Sequence, residues 1–272
     1  MSTVSVLDKQ PGNSEEIEYS QYTNGVWQRI SSTLPDEMLF SIFVNQQELV
    51  SILCTPEKLN CLVVGYLRAE GFINSLGDIA MMRVCIDESL ADVQLKHQLN
   101  VLPSKRVLTS GCGRGVSFDS MPNLQPVSSN WRVSPSQVLS SFALLQKSEK
   151  EGENEKRRNG MHVSALSDGR ELVVRAEDIG RHNTLDKIWG ECMLRKISPE
   201  NLLLISTGRI SSEMLIKAAR MKIPVVASLN SATSRAVNLG AELGIAVVGY
   251  VRGTRLAAYC CEHRLLPNGL DH

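Results

Sequence analysis

Residues 201–230 read NLLLISTGRISSEMLIKAARMKIPVVASLN, which is two apolar runs separated by an amphipathic one. The runs Leu202–Ser206 and Pro224–Ser228 are short, apolar and rich in branched side chains, which predicts buried strands. Between them, residues 211–221 have the apolar spacing of a helix. A helix between two buried strands predicts a parallel or mixed sheet that is covered by helices.

The same alternation extends in both directions along the chain. Leu172–Val174 predicts an earlier strand, which is followed by a helix over about 184–195. A further helix is predicted over about 232–243, and Ala246–Val251 predicts the last strand. We therefore assign residues 131–272 to an α/β domain, in which ligands are expected where strands end and the next helices begin.

Residues 31–130 have a different pattern, which predicts a smaller α+β region. Met38–Val44 and Leu49–Leu53 consist of β-favouring residues on either side of a turn, so we predict a hairpin. Thr55–Glu57 has the composition of a helix start, with threonine as N-cap and proline at the first helical position. Gly71 is expected to end that helix.

The remaining segments of this half are less regular. Residues 1–30 are polar and predict a flexible leader, and two short strands are expected at Arg83–Asp87 and Asp92–Lys96. The stretch 109–130 is rich in Gly, Ser, Pro and Asn, which predicts a long loop before a helix that opens at Ser134. Loops of this length are usually functional or disordered.

The composition argues against several classes of protein. The chain of 272 residues has 29 Lys and Arg and 29 Asp and Glu, so broad attraction to nucleic acid or anionic lipid is not expected. No apolar stretch approaches the roughly 20 residues of a membrane helix, and the N-terminus has no signal-peptide pattern. Its seven cysteines include no Cys-x-x-Cys pair, which disfavours a zinc knuckle or a redox dithiol. We expect a reduced, soluble, cytoplasmic protein.

Cys112 lies in the predicted loop, within the segment Thr109–Ser117. Three glycines within five residues deprive it of the side-chain cover that usually buries a cysteine. Arg114 places a cation nearby, which favours the reactive thiolate. The pattern predicts an accessible nucleophilic sulfur; the alternative is a glycine-rich surface loop that contains a cysteine by chance.

The polar segment Ala176–Asn183 follows the predicted strand Leu172–Val174 and leads into the next predicted helix. Arg181 and His182 precede a predicted helix with Asn183 as N-cap, and anions are favoured at such a helix N-terminus. The structural alternative is that Arg181 pairs with Glu177 or Asp178.

Two further strand ends are also polar. Thr207–Arg209 leads from a buried strand to a serine-capped helix, which is a reasonable phosphate cradle with Arg209 beside it. Lys217 is expected to pair with Glu213, four residues before it on that helix. Ser228–Ser234 is another small polar loop before a helix.

Near the C-terminus, Arg252 and Arg255 flank Gly253 at the end of the last predicted strand. Paired arginines suit bidentate contacts to phosphate or to a planar heterocycle. Taken together, the polar strand ends predict a pocket for a large, multiply anionic, nucleotide-like ligand. His162 lacks the His-x-Glu pattern of zinc deaminases, so we expect no zinc.

Several long motifs stand out along the chain: Pro35–Glu37 with Val44-Asn45, Thr55–Glu57, Gly65–Ile73, Glu177–Lys187, Ser206–Met214 and Gly249–Arg255. In these motifs and in their order the sequence resembles the FdhD/NarQ family, the sulfur-carrier accessory proteins of formate dehydrogenase. The resemblance covers roughly residues 30–262.

This resemblance implies a cytidine-deaminase-like, three-layer α/β/α core without the deaminase zinc. It also implies a sulfurtransferase that accepts persulfide sulfur from a cysteine desulfurase on Cys112. The sulfur then passes to a molybdenum (or tungsten) bis-pterin guanine dinucleotide cofactor, which formate dehydrogenase needs for activity; GDP would mimic this ligand. The cofactor-binding residues implied by the family segment are Tyr250, Val251, Arg252, Gly253, Thr254 and Arg255. Arg181, His182 and Arg209 are expected to line the same pocket.

One departure from the family concerns Gly115, because many relatives have a second cysteine at this position. No internal disulfide can form in this loop. A single cysteine is expected to suffice, since a persulfide sulfur can leave to a thiol or a metal centre without a second protein thiol. Two alternatives stay open, a degenerate relative without activity and a non-catalytic chaperone that inserts the cofactor into the apo-enzyme. A homodimer is compatible with transfer in a closed pocket.

Overall fold

The described residues of the computed structural model are 3–4, 16–98, 106–108, 124–150 and 160–265. The strands are β1 (Thr3–Val4), β2 (Glu16–Thr23), β3 (Val26–Thr33), β4 (Met38–Val44), β5 (Gln47–Cys54), β6 (Ile79–Cys85), β7 (Leu90–Leu95), β8 (Arg106–Leu108), β9 (His162–Ser167), β10 (Leu172–Asp178), β11 (Leu203–Ser206), β12 (Val225–Ser228), β13 (Ala246–Arg252) and β14 (Arg255–Cys260). The helices are α1 (Leu59–Ala69), α2 (Pro135–Lys150), α3 (Arg181–Arg195), α4 (Ser212–Arg220) and α5 (Ser234–Leu243).

The N-terminal unit is a six-stranded sheet in the order β1-β6-β7-β4-β5-β8, against which α1 packs. The predicted hairpin is confirmed as β4 and β5, which are joined through Asn45 and Gln46 with φ of 50° and 69°. Such left-handed pairs form the two-residue turns that suit the twist of a hairpin. The two short strands are also confirmed, as β6 and β7, although β6 begins at Ile79.

Helix α1 begins later than the sequence predicts. Its N-cap is Lys58, with φ of 52°, and no side chain caps it. Thr55 is not a cap, because its backbone N–H and its hydroxyl both donate to the carboxylate of Asp178, each over 3.1 Å. A buried carboxylate from the other unit thus takes the hydroxyl that a helix start would have used.

The C-terminal unit is a six-stranded sheet in the order β10-β9-β11-β12-β13-β14. Strands β11, β12 and β13 are parallel, while β9 runs antiparallel to both β10 and β11. One face carries the hydrophobic core shared with α3, α4 and α5, and the other carries the core shared with α2. The α/β class is confirmed; likeness to cytidine deaminases stays a prediction.

The sequence missed two strands of this sheet. Strand β9 lies inside the sheet but has buried serines, Ser164 and Ser167, in place of an apolar run. Strand β14 follows the arginine-flanked turn. Residues 124–134 have no regular structure and pack on this unit, since the Arg264 guanidinium donates to the Val127 carbonyl over 2.9 Å.

Residues 16–30 are not an irregular leader, in contrast to the prediction. Strands β2 and β3 pair from Glu16 with Thr33 to Thr23 with Val26 and form a separate two-stranded sheet. Near the tip of this hairpin Tyr22 is opposite Trp27, and their rings lie 5.2 Å apart as a cross-strand aromatic pair.

Helices α1 and α3 cross at very short range and join the two units. A Cβ atom on Gly65 would lie 1.8 Å from the Asp186 carbonyl oxygen, and one on Gly190 would lie 1.9 Å from that of Cys61. Glycine at both positions therefore permits backbone-to-backbone contact. Within the described ranges, no helix is long and apolar enough to cross a membrane.

Candidate functional site

The candidate site lies at one edge of the C-terminal sheet. Because β10 and β11 are both antiparallel to β9, they are parallel to each other, and the carboxyl ends of β10 to β13 share this edge. Helices α3, α4 and α5 begin immediately after three of these strand ends. Their partly positive N-termini therefore point toward the same edge, as the alternation of strands and helices predicts.

Asn230 ties the loops of this edge together. Its side-chain amide donates to the Thr207 carbonyl over 2.8 Å, and its own carbonyl accepts from the Tyr250 N–H over 3.1 Å. Side-chain caps fix the two following helices, because Ser211 accepts from Met214 N–H and Thr233 accepts from Ala236 N–H. The predicted serine cap of α4 is thus confirmed.

The start of α3 differs from the prediction. Its N-cap is Gly180, so Arg181 and His182 belong to the first helical turn and do not precede the helix. Asn183 is not the cap; its amide donates to Leu53 O over 2.9 Å and to Asp178 Oδ1 over 2.8 Å. The first turn of α3 is therefore fastened to strand β5 of the other unit.

Arg181 has no carboxylate partner within the described residues, so the structural alternative for it is wrong. Glu177 forms its ion pair with Arg175, and Asp178 forms its pair with Lys187. Burial and the neighbouring Arg209 cation lower the pKa of the Arg181 guanidinium. Its Nε is buried and has no hydrogen-bond partner in the part of the chain that the structure describes. Two crowded arginines with an unsatisfied donor indicate a place for an anion.

His162 belongs to the same cluster, which sequence reasoning missed. A Cβ atom on Gly208 would lie 2.9 Å from the Arg181 Cβ and 3.3 Å from His162 Nδ1, so these residues converge on the Thr-Gly-Arg loop. Burial and the Arg181 cation lower the pKa of His162, which favours a neutral imidazole. The signal in the sequence is its position as the first residue of β9, the strand that itself went unrecognised.

His182 faces the start of α4. Its Nε2 lies 3.0 Å from the Ser211 hydroxyl and 3.6 Å from a Glu213 carboxylate oxygen. Burial, followed by the charges of Lys217 and Arg181, lowers the pKa of His182 to about 3. The imidazole is therefore neutral at physiological pH and acts as a hydrogen-bonding group rather than as a cation. We call Arg181, His182, Arg209 and His162 the helix-terminus cluster.

Lys217 does not pair with Glu213, in contrast to the prediction. Its ammonium lies 2.7 Å from both carboxylate oxygens of Asp186, and both side chains are buried. The i to i+4 rule fails here because Lys217 faces the core between α3 and α4, where a buried charge needs a buried counter-ion.

The second group of site residues is residues 250–255, which we call the arginine hairpin. They comprise the end of β13, the turn at residues 253–254 and the first residue of β14. Arg252 and Arg255 are directly opposite each other across the strands, and both are exposed. Like charges in this position are destabilising. Neither has a carboxylate partner among the described residues, so an external anion is the natural counter-charge. Tyr250 is half-exposed and has φ of 51°, a strained conformation that is common at functional sites.

A pocket of about 470 Å³ lies directly beside the arginine hairpin. One wall is α2, which contributes Phe142 and Gln146, and the other is formed by Asn230, the exposed Gly253 and the buried Val251. Arg252 lies at its mouth; Thr254, at the tip of the hairpin, is exposed. A cleft of this size with apolar walls and a few polar groups is typical of a ligand site.

The structure thus places the predicted binding residues in two groups at one sheet edge. The helix-terminus cluster lies at the ends of β10 and β11, and the arginine hairpin lies at the end of β13. Strand β12 lies between them, so about 10 Å separates the ends of β11 and β13. The carrier cysteine predicted at Cys112, with Arg114 and Gly115, lies outside the described residues.

Leu108 is the last described residue before Cys112. Strand β8 runs parallel to β5, with Leu108 level with Ile52. The carbonyl of the next residue on β5, Leu53, accepts the hydrogen bond from Asn183 in the first turn of α3. Strand β8 therefore ends on the side where the helix-terminus cluster lies.

Residues 35–266 of the chain match the FdhD/NarQ family. The chain is 35% identical over 253 residues to the "Sulfur carrier protein FdhD" of Listeria innocua, which covers 90% of this chain and 96% of that protein. It is 33% identical over 253 residues to the protein of the same description from Bacillus subtilis, over 90% and 95% of the two chains.

A solved structure of a formate dehydrogenase accessory protein from Desulfotalea psychrophila has the same fold. The TM-score is 0.73, and the similarity covers 93% of this chain and 99% of that chain at 24% sequence identity.

Proposed function

We propose that this chain, which belongs to the FdhD/NarQ family, is a sulfur carrier that supports the maturation of formate dehydrogenase. Its sulfur is carried as a persulfide on Cys112, and the donor is a cysteine desulfurase. The acceptor is the molybdenum or tungsten bis-pterin guanine dinucleotide cofactor, which is the substrate of the transfer. We place the protein in the cytoplasm, and a homodimer would be compatible with transfer in a closed pocket.

The observation that carries this proposal is the concentration at one sheet edge of arginines that have no carboxylate partner within the described ranges. Arg181 and Arg209 crowd together at a helix N-terminus, and Arg252 and Arg255 oppose each other across a hairpin. A ligand with several phosphates would relieve both repulsions at once. The pocket beside Arg252 would accept a flat heterocycle between apolar walls, which suits a guanine base.

The chemistry consists of two sulfur transfers. In the first, the Cys112 thiolate attacks the terminal sulfur of the donor persulfide, the S–S bond of the donor breaks, and the donor cysteine leaves as a thiolate. In the second, the S–S bond to Cys112 breaks with its electron pair on Cys112. The released sulfur is reduced to sulfide by two electrons from the metal centre, to which it binds. Each step returns a thiolate, so one cysteine suffices.

The described part of the chain supports this assignment to Cys112. Cys112 is four positions after Leu108 in the sequence, and four residues of extended chain span at most about 14 Å. Cys54 lies close to the same strand end but is unsuited to the role, because burial raises the pKa of its thiol to about 12. The core is expected to share the layering of cytidine deaminases, since helices cover both faces of its mixed sheet.

Mass spectrometry after incubation with a cysteine desulfurase and cysteine tests the carrier role. We expect the Cys112 peptide to gain about 32 Da, the mass of one sulfur atom. We also expect Cys112→Ala to lose the ability to activate formate dehydrogenase. Full activation by Cys112→Ala would instead favour a chaperone that holds and inserts the cofactor without carrying sulfur. Cys85→Ala is the matched control, since Cys85 is a half-buried cysteine of the N-terminal sheet.

Binding of GDP tests the ligand site separately from the sulfur. Arg252→Ala or Arg255→Ala should each weaken GDP binding by about tenfold or more, because each removes a charge-assisted hydrogen bond. Arg83→Ala is the control, since Arg83 pairs with Glu88 on the N-terminal sheet and lies away from the edge. Unchanged affinity in both hairpin variants would move the site elsewhere.

A further inference from the structure

A buried polar cluster lies where the two units meet, and the two sulfur transfers do not use it. It consists of Thr55 after β5, Asp178 at the end of β10 and Lys187 in α3. The Lys187 ammonium and an Asp178 carboxylate oxygen are 2.6 Å apart, and both side chains are fully buried. Burying an ion pair costs desolvation energy, which can cancel the attraction between the charges. A contribution to stability therefore does not by itself explain why this pair is present.

Asp178 accepts hydrogen bonds from both units. Its Oδ2 accepts from the backbone N–H and the hydroxyl of Thr55, over 3.1 Å each. Its Oδ1 accepts from Gly180 N–H and from the Asn183 amide, over 2.8 Å each. One carboxylate therefore holds the residue that follows β5 and the first turn of α3 together.

Lys187 completes the connection. Its ammonium donates to the Thr55 hydroxyl over 2.7 Å and to the Thr55 carbonyl over 3.3 Å. It also donates to the Glu177 carbonyl over 3.1 Å. Among the described residues, each hydrogen bond of the Thr55 hydroxyl thus crosses the boundary between the units, to the strand and helix that frame the helix-terminus cluster.

The cluster joins β5, whose neighbour β8 leads toward the sulfur carrier Cys112, to the first turn of α3, where the acceptor is proposed to bind. Thr55 follows directly on β5, with which β8 pairs up to Leu108, and the chain continues from there to Cys112. On the other side, Asp178 and Asn183 fix the turn of α3 that carries Arg181.

We propose that Thr55, Asp178 and Lys187 are positioning residues for sulfur transfer. They hold the strand that leads to Cys112 in fixed register with the helix turn that binds the acceptor. The inference rests on the proposed function, and it adds a role for residues that touch neither sulfur nor acceptor. A small displacement between reacting groups can cost up to about a hundredfold in rate.

Thr55→Val tests the role with little change of shape, because it removes the hydroxyl and leaves the ion pair. We expect persulfide loading of Cys112 by the desulfurase to be unchanged and GDP affinity to stay within about twofold. Activation of formate dehydrogenase, measured per loaded protein, should fall about ten- to a hundredfold. Thr55→Ser keeps the hydroxyl and should restore activation.

Ser141→Ala is the matched control. The Ser141 hydroxyl is also fully buried and bonds Ser167 over 2.8 Å, but within the C-terminal unit and at the opposite edge of its sheet. Activation by Ser141→Ala should stay within about twofold of the wild type. A merely structural effect of losing a buried hydroxyl would lower both variants alike.

The outcomes separate the two proposals. If the wild-type protein takes up no sulfur on Cys112, the proposed function fails, and the positioning role falls with it. If the wild type loads and delivers sulfur but Thr55→Val delivers equally well, only the positioning role is wrong. Equal losses in Thr55→Val and Ser141→Ala, or loss of loading in Thr55→Val, would also overturn it.

Discussion

Arg181, Arg209, Arg252 and Arg255 gather positive charge at one sheet edge, although the chain has a formal net charge of zero. Arg252 opposite Arg255 is a like-charge pair, which lowers stability in the free protein. The arrangement is thus unfavourable until a ligand supplies the opposite charge. Because the chain as a whole has no net positive charge, this attraction is confined to the edge and is expected to select multiply anionic ligands.

His182 gives a prediction for the pH dependence of stability. Burial lowers the pKa of His182 to about 3, whereas an unfolded histidine has a pKa of about 6.5. Between these values the unfolded chain binds the proton and the folded one does not. The stability contributed by His182 is therefore present above about pH 6.5 and lost as the pH falls, by up to about 1.4 kcal/mol per pH unit. His182→Gln should flatten this part of the curve in urea unfolding between pH 4.5 and 8, a range of about two units on either side of the unfolded pKa.

His263→Gln is the control for that experiment, since His263 is exposed. Its curve should run parallel to that of the wild type. If His182→Gln leaves the pH dependence of the free energy of unfolding unchanged, another group causes the loss of stability at low pH. Asp186 cannot be that group, because burial raises its pKa to about 6, and a raised carboxyl pKa makes stability fall as pH rises toward it.

The sequence indicated which residues bring chemistry to the edge, but not which partner each one has. Arg181 and Arg209 follow from the rule that ligands collect at strand ends. The partner of Lys217 could not be predicted, because Asp186 lies 31 positions away and meets it only through the packing of α3 on α4. His162 was missed because its proximity to Gly208 depends on a strand order that the sequence does not contain.

At the scale of elements, the close crossing of α1 and α3 predicts that a side chain at the crossing greatly lowers the free energy of unfolding. A methyl group on Gly65 would meet the Asp186 carbonyl oxygen at 1.8 Å, so Gly65→Ala must push the helices apart. Overpacking of this kind should cost at least about 3 kcal/mol, despite the better helix propensity of alanine. Denaturant unfolding measures it.

Gly77→Ala is the matched substitution, because its methyl group would have only the Ser75 hydroxyl as a near neighbour, at 3.2 Å. It should change the free energy of unfolding by less than about 1 kcal/mol. Equal effects of the two substitutions would mean that α1 and α3 do not need backbone contact.

Elements with a strong periodic signal were predicted well, and those that tertiary contacts define were not. The apolar runs that became β11, β12 and β13 need no partner to be recognised. Strand β9 has buried serines whose hydroxyls bond side chains of neighbouring elements, as where Ser164 donates to Ser206 of β11 over 2.9 Å, so it lacks an apolar signature. Thr55 has the local pattern of a helix cap, and only the distant Asp178 overrides it.

At the scale of the whole molecule, two buried ion pairs of similar geometry have different surroundings. Asp186 with Lys217 lies within the C-terminal unit, and each of its carboxylate oxygens accepts from that one ammonium. Asp178 and Lys187 also belong to the C-terminal unit, but the hydrogen bonds of Asp178 reach the N-terminal one. Its carboxylate accepts from the N–H and the hydroxyl of Thr55, from Gly180 N–H and from the Asn183 amide. Among the described residues the first pair has no further hydrogen-bond donor to its carboxylate, whereas the second pair is the centre of a network.

Replacing each pair by apolar residues should therefore have opposite results. Asp186→Leu with Lys217→Met should leave the free energy of unfolding within about 1 kcal/mol or raise it, since an isolated buried pair seldom repays its desolvation. Asp178→Leu with Lys187→Met should lower it by at least about 3 kcal/mol, because the donors from both units lose their acceptor. Chemical denaturation of the two double variants measures the difference. Equal changes would mean that the contacts of Asp178 do not hold the units together, and the α1–α3 crossing would then have to do so alone.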